Sequence, residues 1–310
     1  MMPCFPCVIV VDDRWRHRSC VTLDESDSVS TRIASAPREP TLLQRFAATI
    51  ESRRVYRDIF EIGLVALAFL LYFIVRGLVV DRHDQAYAHA RDIIDLERTL
   101  GIFWEPRLQE WVLGRHFFIS VFNFIYFWLD FPLIVVVGLW MYFTHRHEYT
   151  VARDSLLLSG AIALVIYNLY PVMPPRLLPT GEFVGTIEKY NDLSYQAQST
   201  QAFVNPYAAV PSLHFGWSII LGGAIVLSTR NAYIRAVGLS LPWLQLASIV
   251  FTANHYILDA FAGLIVALAG IALALVLQRW GYPALRREVQ RRWGPSDTPA
   301  EAGTQPALPA

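Results

Sequence analysis

The chain has 310 residues, of which 54% are hydrophobic and only 17% are charged, whereas soluble proteins carry roughly 25% charged residues. Its 26 basic residues are balanced by 26 acidic ones, so no net positive charge attracts a phosphate backbone, and nucleic-acid binding is not expected. The composition also excludes a disordered chain and a disulfide scaffold. It indicates a membrane protein that crosses the bilayer several times.

Both ends of the chain lack the periodicity of folded elements. Residues 1–44 mix Asp, Ser, Thr, Arg and Pro without a helical or strand period, which predicts a disordered N-terminal leader. This leader contains all three cysteines, Cys4, Cys7 and Cys20, and we interpret them as incidental because no matching ligand pair follows. Residues 281–310 are predicted to form a cytoplasmic basic segment and a disordered tail. A membrane domain is expected between these ends, over residues 45–280.

Six apolar segments approach the length of about 20 residues that crosses a bilayer. They are Ile59–Val80, Phe117–Phe143, Ser155–Tyr170, Leu213–Thr229, Ala236–Ala253 and Ile257–Gln278. The third and fourth are short, so we expect their helices to extend into the flanking loops. The prediction is an all-α, polytopic membrane bundle of about six transmembrane helices.

Three other features lie within or between these spans. Asp130 and Pro132 occupy the middle of the second span, where an acid is costly. The acid marks a function, a pairing at a kink, or a position near the interface if this span is two shorter pieces. We leave Asp130 out of the predicted site. The segment Asp81–Arg115 combines many charges with regularly spaced apolar residues, which predicts an amphipathic helix lying on the membrane interface. Val172–Ser212 forms the longest polar loop.

Arginine placement predicts the orientation, because positively charged loops remain in the cytoplasm. Twelve arginines near the span ends lie on one side of a six-span arrangement: Arg53, Arg54, Arg57, Arg146, Arg153, Arg230, Arg235, Arg279, Arg286, Arg287, Arg291 and Arg292. The opposite side carries fewer, including Arg82, Arg91, Arg98, Arg107 and Arg115 in the segment Asp81–Arg115. We expect the side with the twelve arginines, and both termini, to be cytoplasmic. The protein is then an integral plasma-membrane protein whose active site faces the extracytoplasmic side.

Three short polar motifs converge on that extracytoplasmic face. They are P-P-R-L-L-P at 174–179, N-P-Y-A-A-V-P-S-L-H at 205–214 and N-H-Y-I-L-D at 254–259. In the last motif, His255 and Asp259 share a helix face at the i, i+4 spacing. A carboxylate that holds one imidazole nitrogen leaves the other as a base or nucleophile. The alternative is a buried pair that only joins helices.

The other two motifs offer groups suited to phosphate. Ser212 and His214 follow Pro211 at a helix start, where free backbone N–H groups favour an anion. Arg176 lies on a proline-stiffened turn, and paired guanidinium N–H groups suit phosphate oxygens. Each motif alone has a structural alternative, namely a helix cap or an interfacial arginine. Their occurrence on one face favours a phosphate site.

The pattern P-S-L-H followed by H-Y-I-L-D resembles the type 2 phosphatidic acid phosphatase superfamily. The forms P-P-R-L-L, P-S-L-H-F-G and N-H-Y-I-L-D are similar to its inositol phosphorylceramide synthase branch, the inositolphosphotransferase type, over about residues 55–280. The resemblance implies that His255 forms a phosphohistidine and that Asp259 orients it. His214 would protonate the leaving group and later activate the acceptor, while Ser212 and Arg176 hold the phosphate oxygens.

The chain also departs from the wider superfamily pattern. Leu169 stands where the lysine of a K-x6-R-P motif would precede Arg176, and Ser248 and Ile249 stand in place of an S-R pair. One phosphate-binding arginine is therefore missing, and we expect Asn254 to compensate for it.

Several functions remain open from the sequence. The preferred one is a lipid phosphatase or phosphotransferase that needs no metal or cofactor and has a lipid phosphate and the bilayer as its partners. Water as acceptor gives a phosphatase, and a polar alcohol gives a transferase. Alternatively, His214, His255 and Asp259 bind zinc in a membrane hydrolase. The last option is a non-enzymatic scaffold or transporter that uses the same polar residues to join helices.

Overall fold

The structure is a computed structural model that describes residues 53–79, 81–186, 189 and 205–293. The predicted leader, its cysteines and the predicted tail after residue 293 lie outside the described residues. The chain divides into two units, residues 1–60 and 61–310. The described residues of the first unit, 53–60, form the start of a helix. All the remaining elements belong to the second unit.

The described residues are mainly helical. In chain order the helices are α1 (Arg53–Val79), α2 (His83–Leu100), α3 (Glu105–Val112), α4 (His116–Trp128), α5 (Phe131–Thr144), α6 (Arg146–Leu169), α7 (Leu213–Ser228), α8 (Ala232–Phe251), α9 (Ile257–Val276) and α10 (Tyr282–Trp293). A one-turn 3-10 helix, Pro175–Leu177, lies between α6 and α7, and a π-helical segment, Leu277–Gly281, joins α9 to α10. In the described part, strand pairing is limited to an isolated bridge between Val172 and Ala208.

Three of the described helices are long and apolar enough to cross a membrane. They are α6, α8 and the continuous helix Ile257–Val289 that begins with α9. The pair α4 and α5 meets the same criterion jointly, with a bend of 48° between them, and α7 is apolar but shorter. The predicted all-α membrane bundle is confirmed. The number of six spans stays a prediction.

The second predicted span is not a continuous helix. It breaks at Leu129 and Asp130 into α4 and α5, and Asp130 has the non-helical angles φ −109° and ψ −110°. Pro132 lies in the first turn of α5, where proline is well tolerated because its missing N–H would have no helical partner. A helix that restarts at this proline leaves Asp130 at the bend.

The two short predicted spans, the third and the fourth, differ in whether their helices extend into the flanking loops. The third extends as expected, because α6 begins at Arg146. The expected extension of the fourth is wrong at both ends, because α7 covers only Leu213–Ser228. The Ser212 side chain accepts a hydrogen bond from the Phe215 N–H and so caps this helix where it begins.

The single amphipathic helix expected over Asp81–Arg115 is wrong. It is two helices, α2 and α3, because Gly101 closes α2 with a left-handed φ of 72°. The buried face of α2 consists of Ala86, Ala90, Ile94 and Glu97. Its apolar members join a core cluster with the loop residues Val172 and Met173 and with Ala253 and Tyr256 near the third motif. The segment therefore packs against the connections that carry the predicted site.

The bundle is centred on α7. This helix packs against α6, α8 and α9, and α9 packs in turn against α6. The beginnings of α7 and α9 lie side by side, because the Ser212 N–H donates to the Asp259 carbonyl oxygen at 2.9 Å. Gly263 allows this approach, since a Cβ there would overlap the Ser212 carbonyl oxygen.

Candidate active site

The three motifs meet through backbone hydrogen bonds. The Arg176 N–H donates to the Ala253 carbonyl oxygen at 2.9 Å, which joins the 3-10 turn to the connection before α9. The Ser212–Asp259 bond joins the beginnings of α7 and α9. The predicted convergence is therefore present in the fold, and the rings of His214 and His255 lie 5.6 Å apart between their centroids.

His255 lies in the short connection between α8 and α9 and is almost fully buried. Its Nδ1 is 2.8 Å from the Ala209 carbonyl oxygen and 3.3 Å from Asp259 Oδ2. Because a carbonyl only accepts, Nδ1 carries the proton and Nε2 keeps its lone pair. Burial, aided by the positive charge of Arg176, lowers the pKa of His255 to about 4. The ring is therefore neutral near pH 7, as a nucleophile requires.

The sequence identified Asp259 as the partner of His255 but missed the nearer one, Ala209. Asp259 is fully buried, and its Oδ2 accepts a hydrogen bond from the Tyr256 N–H at 2.8 Å. The carboxylate thus closes the first turn of α9 while facing His255. A backbone carbonyl has no side-chain signature, so no sequence signal points to Ala209.

His214 has two partners that the predicted site did not contain. Its Nε2 lies 3.3 Å from Asp130 Oδ2. Its ring stacks on Tyr126, with 4.2 Å between centroids and 15° between planes. Asp130 is absent from the predicted site because an acid in a span is explained equally well by a function, a pairing at a kink or a span made of two shorter pieces. The break before Pro132 brings Asp130 to His214, and Pro132 was the signal available in the sequence.

Arg176 and Asn254 form a joined pair. Arg176 Nη1 donates to Asn254 Oδ1 at 2.6 Å, and Asn254 Nδ2 donates to Thr252 Oγ1 at 2.6 Å. Asn254 thereby holds the guanidinium beside the connection that contains His255. Direct phosphate binding by Asn254 stays a prediction, and its position also suits the task of orienting Arg176.

Ser212 is fully buried at the N-terminus of α7. Its Oγ accepts a hydrogen bond from the Phe215 N–H at 3.5 Å. Ser212 is therefore a helix cap, which was the structural alternative to phosphate binding. A hydroxyl that accepts through oxygen still has a hydrogen to donate. Its predicted contact with phosphate is compatible with the cap.

Two glutamates hold the helix that follows His255, and no motif in the sequence indicates this role. Glu97 Oε1 accepts from the Leu258 N–H, and Glu105 Oε1 accepts from the Ile257 N–H, each at 2.8 Å. Both side chains are fully buried. Burial, followed by the hydrogen bond and charge of Glu105, raises the pKa of Glu97 to about 9. Glu97 is therefore protonated near pH 7.

The zinc alternative requires a cluster of ligands. Across residues 53–79, 81–186 and 205–293, no group of three or more His, Cys, Asp or Glu side chains is arranged to hold a metal ion. His214 and His255 instead face separate carboxylates, Asp130 and Asp259. The donor set described above does not fit a zinc site.

An all-helical membrane bundle in which two histidines, an arginine and buried carboxylates meet is typical of a phosphate-transferring membrane enzyme. The model of the PAP2 superfamily matches residues 91–273, more than half of the chain, and the chain belongs to this superfamily. The matched range contains every predicted site residue and Asp130. Membership indicates a membrane phosphatase or phosphotransferase. Searches of curated proteins and of solved structures return no match.

Proposed function

We propose that the protein is an integral membrane enzyme that transfers the phosphoryl group of a lipid-linked phosphate through a phosphohistidine on His255, without a metal ion. The observation that carries this proposal is the state of the His255 ring. Its Nδ1 is held by Ala209 and Asp259, and its pKa is lowered by burial to about 4. A neutral ring with Nε2 available is a competent nucleophile. His214 is close enough for both rings to reach one phosphoryl group.

The first half of the reaction forms the phosphohistidine. His255 Nε2 attacks phosphorus opposite the ester oxygen, so the N–P bond forms as the P–O bond breaks. His214 gives its proton to the departing oxygen. Arg176 and Ser212 stabilise the charge on the equatorial oxygens, which is the main catalytic task in phosphoryl transfer. Asn254 keeps the Arg176 guanidinium in place.

The second half releases the phosphoryl group. The acceptor hydroxyl gives its proton to His214 while its oxygen attacks phosphorus, and the N–P bond breaks to restore His255. Water as acceptor makes the protein a phosphatase, and a polar alcohol makes it a phosphotransferase. The motif forms P-P-R-L-L and N-H-Y-I-L-D support the inositol phosphorylceramide synthase branch and hence transfer to an alcohol in place of water. The predicted loop Val172–Ser212 would then shape the acceptor side.

We infer that the site opens to the extracytoplasmic face of the plasma membrane and that both termini are cytoplasmic. The distribution of flanking arginines supports this orientation. A lipid phosphate reaches such a site from the outer leaflet, with its acyl chains remaining in the bilayer. The charged headgroup alone enters the protein.

The test is a screen of purified protein against lipid phosphates, diphosphates and phosphodiesters with a chelator present. Free phosphate and transferred product are both followed. His255→Ala should lower turnover by at least about 10³-fold, and the protein should still be monodisperse with an unchanged melting temperature. His147→Ala is the matched control, because His147 is exposed at the start of α6, whereas the candidate site follows the end of this helix. Wild-type activity in His255→Ala on every substrate, or loss of activity in chelator, would refute the proposal.

A further inference from the structure

Asp130 lies where a charge is costly. Two apolar helices, α4 and α5, meet at this residue with a bend of 48°. Asp is a favoured N-cap residue, yet the side chain of Asp130 makes no capping hydrogen bond at the start of α5. Its Oδ2 lies 3.3 Å from His214 Nε2, and both side chains are only 21% exposed. The carboxylate therefore meets the imidazole in a largely dehydrated setting, where charge interactions are strong.

Tyr126 restrains the same imidazole from the preceding turn of α4. It is buried, and its ring stacks nearly parallel to the His214 ring at 4.2 Å. Stacking fixes the plane of the ring, and Asp130 fixes which nitrogen points toward α5. The end of α4 and the bend after it thus hold His214 at two points.

The two histidines of the site need opposite properties. A nucleophile must be neutral, and at His255 the nearest partner of Nδ1 is the uncharged Ala209 carbonyl. Asp259 Oδ2, which also faces that ring, already accepts from the Tyr256 N–H. A general acid must carry a proton, and a carboxylate beside an imidazole favours the protonated form. Asp130 supplies such a carboxylate to His214.

We propose that Asp130 is a positioning residue for His214: it binds the Nε2–H and stabilises the imidazolium, so that Nδ1 donates to the leaving oxygen. This inference rests on the proposed function. In the first half-reaction the Nδ1 proton moves to the leaving oxygen, while the Nε2–H stays on the imidazole and continues to donate to the Asp130 carboxylate. In the second, the acceptor hydroxyl proton returns to Nδ1 and the imidazolium forms again. Asp130 itself neither gains nor loses a proton.

The experiment compares two leaving groups. A lipid alkyl phosphate requires protonation of its leaving oxygen, whereas p-nitrophenyl phosphate releases a stable anion without it. In single turnovers with enzyme in excess, Asp130→Asn should slow phosphorylation by the alkyl substrate by about 10²-fold. Its rate with p-nitrophenyl phosphate should stay within about threefold of wild type, since general-acid assistance is not needed there. The KM for the alkyl substrate should change little.

Asp130→Glu separates charge from size. If the charge matters, Glu should keep the alkyl-substrate rate closer to wild type than Asn does, although Asn matches the shape of Asp. A purely structural role predicts the reverse order. Asp84→Asn is the matched control, because this aspartate is fully exposed on α2.

The outcomes separate the two proposals. If His255→Ala is inactive while Asp130→Asn slows both substrates equally, or neither of them, the role of Asp130 is refuted and the phosphohistidine mechanism stands. If His255→Ala keeps its activity on both substrates, the proposed function itself is wrong. Selective slowing of the alkyl substrate, with rescue by Glu, supports both.

Discussion

Replacing Gly263 with alanine should disturb the geometry of the site without removing a functional group. A Cβ on Gly263 would overlap the Ser212 carbonyl oxygen and lie 3.1 Å from the Ser212 carbonyl carbon. The obstacle is backbone at the beginning of α7, so no side-chain rotation relieves it. The starts of α7 and α9 would have to separate by about 1 Å, since closely packed interiors have no room to absorb a methyl group. His214 belongs to α7 and His255 lies just before α9, so a separation of these two helix starts would move the two histidines apart.

The expected effects follow from that displacement. Overpacking of this kind costs about 1–3 kcal/mol, so the melting temperature in detergent should fall by several degrees. A misplacement of about 1 Å costs about 10²-fold in turnover, and it should appear in kcat. Gly216→Ala should be milder, because its Cβ would lie 2.7 Å from the Gly263 carbonyl oxygen.

Gly223→Ala is the matched control on the same helix as Gly216. Its added Cβ would meet nothing within 4 Å, and alanine favours a helix over glycine by about 1 kcal/mol. This variant should keep wild-type activity and melt slightly higher. The reasoning is refuted if Gly263→Ala behaves like wild type, or if the three variants lose activity equally.

The remaining predictions concern Arg176 and the ionisation of His255. Arg176→Ala should lower kcat/KM by about 10²–10³-fold, the usual cost of losing a donor to transition-state charge, and Asn254→Ala by about tenfold. The double variant should resemble Arg176→Ala alone; additive losses would show that Asn254 acts independently. The ring of His255 should titrate near pH 4 by NMR, with the signal assigned by its loss in His255→Ala, because burial lowers the pKa. In the unfolded chain this imidazole binds its proton near pH 6.5, so the free energy of unfolding should decline as the pH falls from about 6.5 to 4. An NMR titration midpoint near pH 6.5 would contradict a pKa lowered by burial.

The helices at the end of the chain are close to those predicted, because their sequences carry clear boundary signals. The Asn231 side chain accepts hydrogen bonds from two N–H groups at the start of α8, and Ser212 caps α7. The sixth predicted span and α9 both begin at Ile257. Apolar length and a polar cap locate such elements without knowledge of their neighbours.

The break at Asp130 was less accessible from sequence. Hydropathy averages over a window, so one acid and one proline do not interrupt an apolar segment of this length. Pro132 is compatible either with a kink inside a helix or with the first turn of a new one. Only the packing of α4 and α5 around His214 distinguishes a kink from a new helix. The same packing decides whether Asp130 belongs to the site.

The roles of Glu97 and Glu105 were hidden for a related reason. Charges spaced along an amphipathic segment usually face solvent, so the pattern does not single out either glutamate. Their actual partners are backbone N–H groups of Ile257 and Leu258, which have no signature in the sequence. The unsatisfied N–H groups at the start of a helix attract carboxylates, but the sequence does not reveal which carboxylates reach them.

These cases share a physical cause. Groups proposed to contact phosphorus, such as His255 and Arg176, must be particular side chains, so they form recognisable motifs. Groups that hold those side chains in place act through geometry: a carbonyl at Ala209, a missing methyl at Gly263 and a helix break at Asp130. The contacts that these groups make become visible only when the chain is folded. Because a phosphoryl-transfer site depends mainly on positioning and charge, variants of the supporting residues Gly263 and Asp130 should reduce activity substantially.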